Sequence, residues 1–267
     1  MKRKPAVAGQ FYPASSLDLS RQVNDFITPD AEKEDAIGII SPHAGLIYSG
    51  EVAGEVYSRI RIPHTVILLG PNHTGIGRPV SIMSSGSWQL PTGELNINAE
   101  IAERLTEKTG LIEEESAAHT MEHSLEVQLP FILHFSADTM IVPIIMMSDS
   151  LDVCREVGEA FADVINETDH PVLIAASSDM SHYETDTTAR RKDNMAIEKI
   201  LDIDPQGLYA TVINENISMC GIIPVATMLY AARKLGAKES RLVKYMTSGD
   251  RSGDYDQVVG YAGMIIS

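Results

Sequence analysis

Two kinds of apolar pattern alternate along the chain. Short continuous apolar runs, bounded by charged or turn-forming residues, read as buried strands. They fall at Ala36–Ile40, Thr65–Leu69, Thr139–Met147 and Pro171–Ala176, with Leu242–Thr247 and Val258–Ile266 closing the chain. Between them, apolar residues recur at helical spacing, as Leu19, Val23, Phe26 and Ile27 do in a helix expected over Leu17–Ile27. Further helices are expected at Ser49–Arg61, Asn98–Thr109, Thr120–Leu133 (interrupted at Pro130), Leu151–Asn166 and Thr187–Leu201. A short one opens at Asp204-Pro205, and another runs from about Pro224 to Leu235. Ser15-Ser16 supplies a capping hydroxyl for the first helix. Residues 80–95 read as a β-hairpin with a Gly turn. Residues 1–14 read as an irregular arm, and GLIEEESAAH (110–119) as a polar loop with solvated acids. Pro143 inside the third long strand predicts a bulge or an edge position.

Strands alternating with helices predict α/β layering. The hairpin and the closing strands make the sheet mixed, with helices on both faces. No Ser- or Pro-rich linker, internal repeat or low-complexity tract divides the chain, so one domain over 1–267 is expected.

Composition narrows the function. Twenty-one Lys plus Arg against 37 Asp plus Glu give a formal charge of −16. That argues against nucleic acid or an anionic membrane as the main partner. Two cysteines, Cys154 and Cys220, make no disulfide framework and no CxxC site. No apolar run approaches a membrane span, and no secretory leader pattern opens the chain. A soluble protein of a reducing cytoplasm is therefore expected.

The candidate chemistry lies where strands end. His43 follows Ser41-Pro42, His73 stands in GPNHTGIG, and Asp179 and His182 lie in SSDMSHY. A histidine at a strand end usually does no more than cap a turn, and an Asp there forms an Asx-turn. Three such residues at equivalent places are harder to explain that way. In open α/β sheets the carboxyl rim of parallel strands is where ligands bind. Imidazole and carboxylate are ligands for Fe, Zn or Mn. Cys220 precedes Gly221 and a helix, whose positive end favours thiolate; it reads as a metal ligand, a reactive thiol or a small buried hydrophobe. Cys154 sits among helical core positions. HTMEH (119–123) matches the H-x-x-E-H pattern of zinc peptidases, with His119 and His123 on one helix face, but no Glu on a second helix follows. GPNHTGIG lacks both the Lys-Ser/Thr ending of a P-loop and the G-x-G-x-x-G spacing.

Taken together, AGQFYP, SPHAGLIYSG, LLGPNHTG, WQLPTG, EHSLEVQLPF, SSDMSHY, MCGIIP and VVGYAGMII resemble the Memo family, in the family's order and over nearly the whole chain. The resemblance implies a fold similar to the class III extradiol dioxygenases, which are non-haem iron enzymes. It implies a metal held by His43, His73 and Cys220, with His182, His123 and Asp179 at other pocket positions. It also implies a functional link to a radical-SAM protein. True dioxygenases use two His and a carboxylate. A thiolate in the third place shifts preference towards copper or zinc, or an unusual iron site. The expected function is a metal-dependent, dioxygenase-like oxidoreductase acting on a small-molecule or peptide ligand. In it His182 or His123 serves as acid/base and Asp179 orients a histidine. The alternative is a non-catalytic metal-handling or peptide-binding adaptor using the same pocket.

Overall fold

The computed structural model describes residues 1–267. Its core is a nine-stranded mixed sheet. At the centre, Gly38–Ser41, Val172–Ser177, Thr65–Pro71 and Met140–Met146 lie side by side and parallel. Val80–Ile82 joins Met140–Met146 antiparallel, and Glu113–Glu114 extends that edge. On the other side Val258–Ile266 runs antiparallel to Gly38–Ser41 and also carries Ser240–Thr247 and His182–Glu184. This is the mixed-sheet α/β architecture that the resemblance to class III extradiol dioxygenases implied.

Both faces of the central strands are buried, which is why they read as continuous apolar runs. Alternate side chains enter different cores. Ile39, Val66 and Leu68 face the helices Ser16–Phe26, Leu46–Ser58 and Leu129–Phe135. Ile40, Ile67 and Leu69 face Leu151–Asn166, Asp186–Leu201, Pro205–Asn214 and Ile222–Lys234. Ser15 caps the first helix as expected, its Oγ accepting from Asp18 N–H.

Several expectations need correction. The arm at the N-terminus is not wholly irregular: Lys2–Arg3 forms a parallel strand beside Ser87–Leu90, which turns back through Gly93–Asn96. The hairpin is therefore Ser87–Asn96 in a small separate sheet, while Val80–Ile82 belongs to the main one. The stretch Glu113–His119 is not plain loop, since it holds a short strand and the short helix Ser116–His119. Pro143 lies in an interior strand, not an edge. Its carbonyl accepts from Met83 N–H, just past the end of the Val80–Ile82 ladder, so the N–H it lacks falls where that ladder stops. Thr120–Leu133 is not one helix. Residues 120–125 are irregular, a 3-10 turn covers Glu126–Gln128, and Pro130 opens the Leu129–Phe135 helix instead of breaking one.

Candidate metal centre

His43, His73 and Asp179 each stand two residues past the end of a strand, after Ser41, Pro71 and Ser177. Those strands are parallel neighbours, so their ends share one rim. His123 reaches the same place from the irregular segment 120–125. The ring centroids of His43 and His73 are 5.2 Å apart, those of His43 and His123 5.6 Å, and those of His73 and His123 4.6 Å. One ring nitrogen from each lies within 4.8 Å of the others, a spacing that could hold a metal ion.

Hydrogen bonds fix which nitrogen is free. Ser177 Oγ donates to Ser124 O at 2.7 Å and accepts from Gln128 Nε2 at 3.0 Å. Its remaining lone pair faces His43 Nδ1 at 2.7 Å. His43 must then carry its proton on Nδ1 and present Nε2 as the lone pair. His73 Nδ1 faces Glu122 Oε1 at 2.9 Å, and His182 Nδ1 faces Ser218 O at 3.0 Å. Because both partners are acceptors, these rings too keep Nε2 free.

Burial sets the charges. It drives His43 well below the usual imidazole range, aided by His73 and His123, and it lowers His123 in the same way. Glu122 is buried, which alone would raise its carboxyl. The hydrogen bonds from His73 and from backbone N–H groups win, and it is held at about 2. Asp179 accepts from His43 N–H at 2.8 Å, yet burial still raises it. A positive charge on His182 would lower both His43 and Asp179.

Cys220 sits beside the cluster, with Sγ 3.2 Å from His43 Nε2 and in contact with Asp179 N–H. Gly221 lets this turn close: a Cβ there would collide with Ser177 O and the Ser178 side chain, and Gly221 N–H bonds Ser178 Oγ at 3.0 Å. The expectation of a stabilised thiolate is reversed. Burial first, and the Asp179 carboxylate second, push the thiol well above its ordinary value. The group with converging donor atoms is His43, His73 and His123, without Cys220.

His119 and His123 do not share a helix face. His119 ends the Ser116–His119 helix and is buried against Trp88, ring centroids 5.8 Å apart. Cys154 is a core residue, as expected. Sequence reasoning missed Glu122, Ser177 and Gln128. It also missed the anchor behind them. Arg3 pairs with Glu126 at 2.6 Å and donates to His119 O and Glu122 O, while its guanidinium lies 3.9 Å from the Trp88 ring centroid. Glu126 also accepts from Ala6 and Val7 N–H and from Tyr12 OH. The sequence signals were the place of Glu122 in HTMEH and, for Gln128 and Glu126, polar residues set amid apolar ones in EHSLEVQLPF.

A doubly covered mixed sheet with three convergent imidazoles at its carboxyl rim defines an α/β protein with a candidate metal centre. Comparison with known proteins narrows this. The chain belongs to the Memo-like protein family, whose model it matches over residues 3–265. It is 41% identical to a MEMO1 family protein of Methanopyrus kandleri, covering 99% of both chains. It is 42% identical to MEMO1 family proteins of Methanosarcina acetivorans (99% of this chain, 98% of the relative) and Aquifex aeolicus (98% of each). The crystal structure of an uncharacterized Escherichia coli K12 protein has a similar fold. It aligns with TM-score 0.59 at 12% identity, covering 85% of this chain and 98% of that one. No helix here is long and apolar enough to cross a membrane.

Proposed function

We propose that the chain is a metal-dependent enzyme of the oxidoreductase kind, acting in a dioxygenase-like way on a small-molecule or peptide ligand at the sheet rim. His43, His73 and His123 would hold the metal. The observation that carries this reading is their mutual spacing of 4.8 Å or less. The surroundings fit a cation. Two buried carboxylates, Glu122 and Asp179, adjoin the imidazoles, and neither is paired with a lysine or arginine. Buried carboxylates without a cationic partner are costly. The donor set suits iron, copper or zinc. The family resemblance named Cys220 as third donor; we assign that place to His123, whose donor atom converges with the other two.

Bound there, such a metal supplies Lewis acidity and, if redox-active, an electron path. The chain's residues have separate tasks. His182 Nε2, left free by the bond to Ser218, can take a proton from a ligand. Asp179 holds the turn that aims His43. Cys220 Sγ lies 3.2 Å from His43 Nε2, beside the lone pair that would bind the metal. That soft thiol supports a second reading, a metal-handling adaptor with no turnover. A radical-SAM protein remains the proposed functional partner.

The test is anaerobic purification with metal analysis, followed by oxygen uptake with a panel of catechols. Metal-dependent uptake is expected. A loaded protein that consumes no oxygen with any of them would favour the adaptor.

A further inference from the structure

Glu122 makes more hydrogen bonds at the site than any ligand candidate, yet it need not touch the metal. Its carboxylate is buried. Oε2 accepts from His73 N–H at 2.5 Å. Oε1 faces His73 Nδ1 at 2.9 Å and accepts from the N–H groups of His123 and Ser124, each at 2.9 Å. His73 follows a central strand, and His123 belongs to an irregular segment with no ladder to fix it. A single carboxylate therefore joins two histidines that secondary structure alone leaves independent.

We propose that Glu122 is the positioning residue of the metal centre: it selects the Nε2-free form of His73 and sets the place of His123 relative to it. This rests on the metal-binding reading above. A catalytic role, as the H-x-x-E-H pattern would give a general base, does not fit. The carboxylate is buried, and both of its oxygens are already held by donors of the protein. A carboxylate that orients a ligating imidazole fixes its tautomer and raises its basicity. Here the same group also grips backbone, so it sets ring position as well as protonation.

Replacement by glutamine separates this role from a structural one. The amide keeps the size but accepts through one oxygen only, and its NH₂ must face one of the N–H donors. Zinc affinity of wild type and Glu122→Gln is measured by chelator competition, with circular dichroism and thermal unfolding alongside and Co²⁺ absorption as a probe of geometry. The variant should stay folded, bind Zn²⁺ about 10–100-fold more weakly and shift the Co²⁺ bands. Unchanged affinity and bands in a folded variant would overturn the proposal. Failure of wild type itself to bind zinc would instead overturn the metal-binding reading beneath it. If the variant does not fold, histidine ¹⁵N spectra of metal-free wild type decide. The Nδ1–H form of His73 is expected, and the Nε2–H form would overturn the proposal.

Discussion

Nε2 of His43 stands 3.2 Å from Sγ of Cys220, with the imidazole as acceptor and the thiol as donor. That direction follows from Ser177, which leaves His43 no proton on Nε2. It makes the thiol a neighbour of the imidazole cluster and leaves it protonated.

Cys220 should therefore be sluggish towards thiol reagents. Burial raises it, and Cys154 is pushed up to about 11. Thiolate is the reactive form, so a raised pKa means little reaction near pH 8. Native protein treated with a disulfide reagent at that pH should release almost no chromophore, and unfolded protein should titrate both thiols. Rapid labelling of native Cys220 would show a thiolate at the site.

Arg3 and Glu126 form a buried pair, with side chains 3% and 0% exposed. Removing one partner from such a pair leaves an uncompensated charge and costs about 3–5 kcal/mol. Arg3→Met should lose stability of that order in urea unfolding. It should also loosen the segment carrying His123, since Arg3 holds the carbonyls of His119 and Glu122. A loss near zero would mean the arm is not an anchor.

Much of the site was legible because it is local to strand ends. Apolar runs fixed by burial on both faces marked the central strands, and the residues just past them, His43, His73 and Asp179, fell on one rim as parallel pairing requires. The segment from Thr120 to Leu125 was not legible. Its apolar spacing reads as helical, but its shape is set by Arg3 and Glu126, which couple the chain across more than a hundred residues. Glu122 was hidden for the same reason, its partner His73 being 49 residues away. For Cys220 the helix start suggested a positive field, which burial and Asp179, both set by distant parts of the chain, outweigh.

His119 sets an acid limit on the fold. Burial, then the charge of Arg3, lowers it from 6.5 to about 3, with the Ser81 backbone opposing the shift only weakly. The unfolded chain thus binds a proton that the native one refuses between those values. The stability is fully present above pH 6.5 and is lost as pH falls towards about 3. Its ring nitrogens make no well-formed hydrogen bond. His119→Leu should therefore flatten the stability loss in that window, read as urea midpoints at several pH values. An unchanged profile would place the acid sensitivity elsewhere.

Tyr183 carries φ +58°, a left-handed backbone that a bulky residue rarely adopts, at an irregularity in the pairing with Val258–Val259. Its side chain is 78% exposed, so few contacts are lost with it. Such strain costs roughly 1–3 kcal/mol, and glycine returns part of the gain as unfolded-state entropy. Tyr183→Gly should raise the urea midpoint. A lower midpoint would mean that the ring contributes more than its exposure suggests.

The most direct test of the central claim is metal stoichiometry by elemental analysis of folded His43→Ala, His73→Ala, His123→Ala, His182→Ala and Cys220→Ser proteins, each loaded and desalted identically. The three-imidazole centre predicts that the first three lose the metal, while His182→Ala and Cys220→Ser retain it. Retention in His123→Ala together with loss in Cys220→Ser would contradict it and make the thiol the third ligand.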